Sequence, residues 1–387
     1  MAVPTYQVLL ISNNGLITKD VTAYVRSVGI SRGRSRELDR FEAGSFSIVF
    51  DNRSRYFDPL YTSSPYNGYI TPKRSVQIWS AGIKQFDGNI QDWNLSYDIS
   101  GDSIAIANGA DQFAYLAQQS LTGGLQTSQL SGARLDAVVA DPNITWPFGG
   151  VYTLFDAGRR TLQADTIAAG TNALEYIQLV ERTEGGYFYV SSGGDLTFKQ
   201  SGSANISLIN FTDSGVAGAY NIPYQGIDIT YGSELLYNQI SLTRLSAGTP
   251  VFVDKPSSIS AYGAAAYSDD GLLYVNDTDT RNQALLLAAK YATPEYRFDS
   301  VTVSLTSLTA SKQANLLILD LTDIVKVIYT PNGVGSAISK YVRVIGIDHT
   351  MNVDDHQVTY HFASLENEQL ILNDSVFGLL DYNVLGF

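Results

Sequence analysis

Residues 42–93 constrain the fold of this chain more than any other stretch of its sequence. Between residues 45 and 50, Phe, Ile and Phe alternate with Ser, Ser and Val, which is the period-2 pattern of a strand with one buried face. Asp51-Asn52-Arg53 follows as a turn, because Asx side chains can bond their own backbone. Pro59 disfavours strand pairing in the next segment, because proline has no backbone N–H to donate to a neighbouring strand. The pattern, which resumes at residues 75–79, predicts an antiparallel β unit without reactive groups.

The composition favours strands and turns over long helices. The chain has 387 residues, with 25 Tyr, 33 Gly and only 16% charged residues. This length allows two or three domains, each with its own core. Because few charges weaken the solubility of a lone particle, the composition also suits a surface that neighbouring proteins partly cover.

The formal net charge of −13 argues against a chain that wraps nucleic acid, which requires a basic surface. It is compatible with an acidic channel wall that repels phosphates, and equally with ordinary solubility. The absence of cysteine excludes disulfides and thiolate metal sites and fits a reducing compartment. The first residues do not match a signal peptide, and no run of about 18 apolar residues predicts a membrane span.

The pattern divides the chain into four segments of a mainly β protein with minor α content. We expect a β-barrel domain at 1–119, an α+β middle domain at 120–222, a second antiparallel β-barrel domain at 223–366 and a C-terminal docking tail at 367–387. The strand candidates are 6–11, 21–30, 45–50, 75–79, 86–97 and 103–107 in the first barrel, and 227–231, 236–245, 296–305, 323–329, 339–351 and 357–364 in the second.

Three helices and one hairpin are predicted around these strands. The first helix covers 133–140 and ends at Asp141-Pro142. The second runs from an N-cap at Thr171 to Arg182, with apolar residues three apart on one face, and leads into a hairpin of 187–190 and 196–200. The third covers 281–291, capped by Asp277 or Thr278.

The three histidines lie close together in the sequence and raise the question of a metal site. On a hairpin with its turn at Asp354-Asp355, His349 lies on the apolar face and His356 at the turn. His361 then lies on the opposite face, where it can pair with Asp348 across the strand. Because the three side chains do not converge, no metal site is predicted.

No other pattern predicts a cofactor site or a catalytic residue. The segment 29–33 matches G-x-S-x-G, but it continues into a strand rather than a strand–turn–helix elbow. The acidic pairs Asp269-Asp270 and Asp277-x-Asp279 lack the further ligands of a calcium loop and are expected in a solvated loop and a helix cap. We therefore predict a protein that is not an enzyme.

Two segments are candidates for contacts with other proteins. A basic loop could grip carboxylates of a neighbouring subunit with its guanidinium groups, or be solvated beside Glu37 and Asp39. Its candidate contact residues are Arg32, Arg34, Arg36 and Arg40. The C-terminal segment is too apolar for a free end and either folds back or docks on a partner. Its candidate docking residues are Val376, Phe377, Leu379, Leu380, Leu385 and Phe387.

Several motifs in a fixed order resemble the minor tail, or tail-hub, proteins of siphophages, in particular those of phages that infect actinobacteria. They are Phe46-x-Ile48-x-Phe50-Asp51-Asn52, Phe57-Asp58-Pro59, Ser64-Pro65-Tyr66, Pro72-x-x-x-Val76-x-Ile78, Phe86-x-Gly88, Asn172-Ala173-Leu174-Glu175, Gly186-Tyr187-Phe188-Tyr189, Gly194-Asp195-Leu196-Thr197-Phe198, Leu319-Asp320-Leu321-x-Asp323-x-Val325, Ile345-x-Ile347-x-His349 and Leu372-Asn373-Asp374-Ser375-Val376-Phe377-Gly378-Leu379-Leu380. Together they span nearly the whole chain. A short echo of Asp92-Trp93-x-Leu95 in Asp348-His349-x-Met351 agrees with the two related barrels of that family.

The resemblance implies a structural protein of the virion, located at the tail tip and assembled in the host cytoplasm. It implies a homotrimer whose six barrels surround the DNA exit channel, with a distal tail or tube protein above and tip or fibre proteins below. DNA would pass through the lumen without specific binding. The alternatives are a six-fold distal tail ring protein and a tail protein that binds a host receptor or carbohydrate.

Overall fold

The computed structural model describes residues 3–12, 15–146, 151–245 and 247–365. The first barrel is built from seven strands, which confirm the alternating pattern of the sequence. They are β1 (Tyr6–Ile11), β2 (Thr18–Asp20), β3 (Val25–Gly33), β4 (Glu42–Asp51), β5 (Ser75–Ser80), β6 (Ile83–Tyr97) and β7 (Ser103–Ala110). Five of them follow the sheet order β5-β6-β7-β4-β3, and β1 and β2 extend the sheet beyond β5.

Side chains from all five of these strands, together with β1, enclose one core. Phe46, Ile48 and Phe50 of β4 are buried, whereas the residues between them are more exposed, as the period-2 pattern predicts. Phe57 of the following loop is also buried and stacks on Phe50, with ring centroids 4.3 Å apart. The loop after the Asx turn therefore closes one end of the barrel core with an aromatic ring.

The middle region combines short strands with three helices. Its strands are β8 (Gly124–Gln126), β9 (Gln129–Leu130), β10 (Thr153–Phe155), β11 (Thr161–Leu162), β12 (Asp165–Ile167), β13 (Tyr187–Val190) and β14 (Leu196–Lys199). Its helices are α1 (Phe113–Leu116), α2 (Ser131–Val139) and α3 (Ala173–Glu184). The predicted face of α3 is buried, and α3 ends where Gly185 adopts a left-handed conformation with φ of 69°. The predicted hairpin is confirmed as β13 and β14.

The C-terminal part holds the second barrel and a smaller inserted unit. Its strands are β15 (Asn205–Thr212), β16 (Asn221–Ile222), β17 (Gly226–Gly232), β18 (Gln239–Arg244), β19 (Val251–Asp254), β20 (Ala266–Leu272), β21 (Glu295–Ser304), β22 (Asp323–Tyr329), β23 (Ile338–Asn352) and β24 (His356–Ser364). Its helices are α4 (Pro256–Tyr262), α5 (Asp277–Tyr291) and α6 (Ala310–Leu317). Strands β18, β19 and β20 form a separate sheet that packs on α5.

The two barrels share one strand order. In the second barrel the order is β22-β23-β24-β21-β17, which repeats β5-β6-β7-β4-β3 strand for strand in chain order and with every neighbouring pair antiparallel. Strand β3 also pairs antiparallel with β23, so that both barrels belong to a single 14-stranded sheet. The strand order confirms the expected pair of related antiparallel barrels. The short sequence echo lies on the matching strands β6 and β23, but it is offset from the sheet register, which matches Asp92 with Gly346, two residues before Asp348.

Three details differ from the prediction. The side chain that caps α3 is Asn172, which accepts a hydrogen bond from the backbone of Glu175, rather than Thr171. Likewise, Asn276 caps α5, and Asp277 already lies inside the helix. Strand β15 pairs with β22 of the second barrel and β16 pairs with β15, although 205–222 falls within the predicted middle domain.

Candidate subunit interface

The arginine segment begins with a side chain that is turned into the molecule. Arg32, near the end of β3, is only 3% exposed, and its Nη1 lies 2.7 Å from Oδ1 of Asp320. The other oxygen of Asp320 accepts a hydrogen bond of 3.0 Å from the backbone N–H of Ser192, in the turn between β13 and β14. This ion pair therefore joins the first barrel, the middle region and the second barrel at one point.

This placement corrects part of the contact prediction. Arg32 does bind a carboxylate, as an arginine in that loop was expected to do, but the carboxylate belongs to its own chain. Strand β3 pairs with β23, and the side chain of Arg32 lies on its buried face, whereas the neighbouring Ser31 is exposed. Arg32 is thus an internal tie between barrels and is not available to a neighbouring subunit.

The other three arginines lie progressively closer to the surface. The Arg34 guanidinium lies 4.7 Å from the centroid of the Phe41 ring and donates to the backbone oxygen of Asp39 at 2.5 Å. Arg36 and Arg40 are exposed. Arg36 forms a surface ion pair with Glu234 at 3.2 Å, which leaves most of its side chain in contact with solvent. These last two arginines are the members of the segment that a partner can reach.

A cleft of about 550 Å³ lies between the arginine segment, the end of α3, β20 and α5. Its walls carry both signs of charge. Glu37 reaches across and binds Lys290 at 2.6 Å and the Tyr291 hydroxyl at 3.0 Å. At its other side, burial raises the pKa of Glu181 to about 7, although the nearby Arg34 guanidinium acts in the opposite direction. The arginine segment is therefore anchored to α5 of the inserted unit through the buried carboxylate of Glu37.

Two of the three histidines contact each other, and His356 begins β24 instead of lying at the turn, where the sequence pattern placed it. Nδ1 of His349 lies 3.1 Å from Nε2 of His356, whose Nδ1 lies 3.2 Å from the hydroxyl of Ser80 in the first barrel. The strand register explains this contact, because His356 pairs with Met351, which is two residues from His349 on the same face. Counting which residues share a face along the two strands of the hairpin could have predicted this contact between His349 and His356. His361 binds Asp348 at 2.8 Å, which confirms the predicted cross-strand pair.

Burial disfavours the charged form of both converging histidines. It lowers the pKa of His356 to about 4, while the nearby Asp355 carboxylate acts weakly in the opposite direction. The pKa of His349 is lowered well below its usual value by burial, and by the neighbouring His356 and Arg32 charges. The pair is therefore neutral near pH 7 and forms part of the packed contact between the barrels.

The remaining sequence motifs lie in regular elements of the structure and have structural partners there. The segment 29–33 lies within β3, so it forms no strand–turn–helix elbow. Asp269 lies on β20 instead of in a loop and pairs with Arg182, while Asp277 pairs with Arg244 from the first turn of α5. In the described parts of the chain, no group of three metal-ligating side chains is present, and none of the helices has the length and apolarity needed to cross a membrane. The predicted docking residues at 376–387 lie outside the described residues.

Among the open strand edges in the part of the chain that the structure describes, two lie on strands of the repeated barrel order. Strand β17 pairs only with β21, so its other edge has no strand partner. The second half of β6, residues 91–97, pairs with β7 on one side, whereas β5 covers the opposite side only up to Asn89. Sequence patterns indicated both strands but could not indicate that these edges remain unpaired, because pairing depends on the order of strands in the sheet.

Comparison with solved structures places this architecture among known proteins. The 43 kDa tail protein of prophage MuSo2 from Shewanella oneidensis is 14% identical, with a TM-score of 0.58 over 93% of this chain and 97% of the other. A tail protein from Neisseria meningitidis MC58 is also 14% identical, with a TM-score of 0.63 over 92% and 96% of the two chains. The fold is that of phage tail proteins. No family model and no curated protein matches the sequence.

The same architecture occurs outside phages. A component of the type VI secretion system of E. coli, which exhibits structural similarity to the bacteriophage tail proteins gp27 and gp5, is 9% identical to this chain. Its TM-score is 0.51, and the match covers 88% of this chain and 73% of that one. The likeness in all three cases is one of fold and extends over most of this chain.

Proposed function

We propose that this chain is a structural component of a bacteriophage tail tip, in which three copies form a hub ring around the channel through which DNA leaves. The observation that carries the proposal is the repetition of one strand order in two barrels that are joined edge to edge. Three such chains supply six similar barrels, which matches a three-fold tip to a six-fold tube. The tail-protein fold supports the same assignment.

The repetition also favours three copies over six. A ring protein with six copies needs one barrel per chain to supply six barrels, whereas this chain carries two. The ring joins a distal tail or tube protein above to tip or fibre proteins below. Arg36 and Arg40, which are exposed, and the docking residues of the C-terminal tail are the proposed contacts with these neighbours.

The role is geometric and not enzymatic. Rigid barrels hold the channel open, and the net charge of −13 favours a lumen that repels the phosphates of passing DNA. The protein is accordingly proposed as a virion component of a siphophage that is assembled in the host cytoplasm.

A cryo-EM reconstruction of the tail tip without imposed symmetry tests the proposal. Three copies around the central bore are expected, with negative side chains facing the lumen. Six copies would instead assign the chain to a distal tail ring. Copies only at the periphery of the tip would contradict the hub role and favour binding of a host receptor or carbohydrate.

A further inference from the structure

The repeated strand order allows positions in the two barrels to be matched residue by residue. In the first barrel, one row of cross-strand partners runs through Asp92, Asn108, Ser47 and Gly29, on β6, β7, β4 and β3. In the second barrel, the corresponding row runs through Gly346, His361, Ser300 and Asp228, on β23, β24, β21 and β17. Each row starts directly after a register shift, which lies between Ile90 and Asp92 in β6 and between Val344 and Gly346 in β23. Gly29 of β3 therefore corresponds to Asp228 of β17.

The long strands β6 and β23 also correspond, and they differ in one respect. The first half of each strand pairs with the preceding strand, β5 or β22. The second half of β23, from Gly346 to Asn352, then pairs on that same side with β3 of the first barrel. The second half of β6, residues 91–97, has no strand partner and no backbone hydrogen bond on that side within the described chain; the indole N–H of Trp93 donates to the backbone oxygen of Thr71, just before β5. The pairing of β3 with β23 is thus a seam between the two barrels within the chain. The corresponding edge of β6, residues 91–97, lacks the strand that would complete a second seam of this kind.

The other half of that second seam is also present. Strand β17 occupies the position in its barrel that β3 occupies in the first, and its outer edge is unpaired in the described residues. Both open segments are seven residues long, from 226 to 232 and from 91 to 97. Their sequences, GIDITYG and QDWNLSY, contain no Lys and no Pro. Charged side chains, especially lysine, and proline protect edge strands against pairing, and each of these edges carries only one such residue, Asp228 or Asp92, so the edges are weakly protected.

We propose that β17 of one chain pairs antiparallel with residues 91–97 of β6 in a second copy, and that this seam joins the subunits of the ring. The inference rests on the proposed ring and adds its contact and register. Gly29 pairs with Thr350, four residues after Gly346. By the same spacing, Asp228 pairs with Ser96 of the partner copy, four residues after Asp92. The ring then alternates seams within and between chains.

Exposed side chains next to both edges fit burial against a second copy. Tyr231 on β17 is 69% exposed, and Tyr97 at the end of β6 is 50% exposed. Ile99, in the turn that follows β6, is fully exposed. Large apolar groups beside an unpaired strand lose contact with water when the strand is paired, which adds hydrophobic stabilisation to the ladder hydrogen bonds.

Engineered cysteines test the register directly, because the wild-type chain has none. In the full-length double variant Asp228→Cys with Ser96→Cys, both exposed positions lie opposite each other across the proposed seam. Oxidation is expected to link chains into a covalent trimer on a non-reducing gel. The matched control combines Asp228→Cys with Asp92→Cys, which moves one thiol four residues along the same face, about 13 Å away. A disulfide requires Cα atoms within about 7 Å, so the control is expected to stay unlinked.

A second measurement needs no substitution. In the wild-type trimer, the backbone amides of 91–97 and 226–232 are expected to exchange hydrogen more slowly than in the monomer obtained by dilution. Trimers that show neither the specific cross-link nor this protection would overturn the seam and leave the ring standing. A full-length chain that remains monomeric at its highest soluble concentration would overturn the ring together with the seam.

Discussion

At the residue scale, the four arginines of one segment have different roles because their depths differ. Arg32 is buried against Asp320 and joins two barrels, whereas Arg36 forms its ion pair at the surface with Glu234. Surface pairs contribute little to stability, while the loss of one partner of a buried pair leaves an uncompensated charge. We therefore expect Arg36, four positions after Arg32, to contribute much less to the free energy of unfolding.

We expect Arg32→Ala to lower the free energy of unfolding by about 3 kcal/mol, because it leaves the carboxylate of Asp320 without its counter-charge at the junction of three units. Urea unfolding, followed by fluorescence, measures the change. Arg36→Ala is the matched control, with an expected loss below about 1 kcal/mol. Equal losses for both variants would show that Arg32 is not the tie described above.

The histidine pair predicts a dependence of stability on pH. Burial depresses the pKa of His356 to about 4 in the folded chain, while the unfolded chain retains the usual value near 6.5. The contribution of the neutral imidazole is therefore complete above pH about 6.5 and is lost as the pH falls towards about 4. The loss is on the order of 3 kcal/mol for this residue.

Comparison with His356→Gln isolates this contribution. Burial raises the pKa of Asp111 and Glu181 to about 7, and these carboxyl groups act with the opposite sign, because their contribution is lost as the pH rises. They are common to both proteins and cancel in the difference between the two unfolding free energies. That difference is expected to shrink from pH 7 to pH 4, and a constant difference would contradict the assignment.

At the scale of single elements, the cap of α3 can be tested against its neighbour. We expect Asn172→Ala to lower the free energy of unfolding by about 1 kcal/mol, because it removes the hydrogen bond to the Glu175 backbone at the helix start. Thr171→Ala is the control, since the hydroxyl of Thr171 donates to the backbone oxygen of Ala168, before the helix begins. Thermal unfolding of both variants measures the difference, and a larger loss for Thr171→Ala would place the cap where the sequence pattern suggested.

Local patterns predicted most elements because they arise from local physics. The alternation at Phe46, Ile48 and Phe50 and the apolar spacing on α3 each reflect one buried face, and the structure has both. Helices α4 and α6 were missed because they are short, and the caps were misplaced by one residue. At each misplaced cap, two or more suitable side chains stand in a row, and the backbone, not the residue type, decides which one accepts the bond.

At the scale of the whole molecule, the predicted domain boundary at residue 119 can be tested by cutting there. Seven residues of β3 pair with β23, so a fragment of residues 1–119 exposes a new strand edge. We expect the fragment to self-associate or to lose protection of the amides from Ser27 to Gly33 in hydrogen exchange. The full chain is the control. A monomeric fragment with unchanged protection would show that the first barrel folds independently of this seam.

Contacts between residues that are far apart in the sequence could not be predicted from it. The tie between Arg32 and Asp320 spans 288 positions, and the contact of Ser80 with His356 spans 276. No spacing rule covers such distances, because they follow from how the strands of two barrels are ordered in one sheet. The open edges of β6 and β17 follow from that same order, whereas the resemblance to tail-hub proteins could anticipate only that two barrels exist.

In the proposed ring, the pairing of β3 with β23 within one chain divides assembly into two kinds of event. A seam inside one chain forms at the high effective concentration of a tethered pair and is complete when folding is complete. Only the alternate seams then depend on how many copies the cell contains, and three of them close the proposed ring of six barrels. Changes in the first kind of seam alter the yield of folded chains. Changes in the second alter only the concentration at which rings appear, so each seam can evolve without disturbing the other.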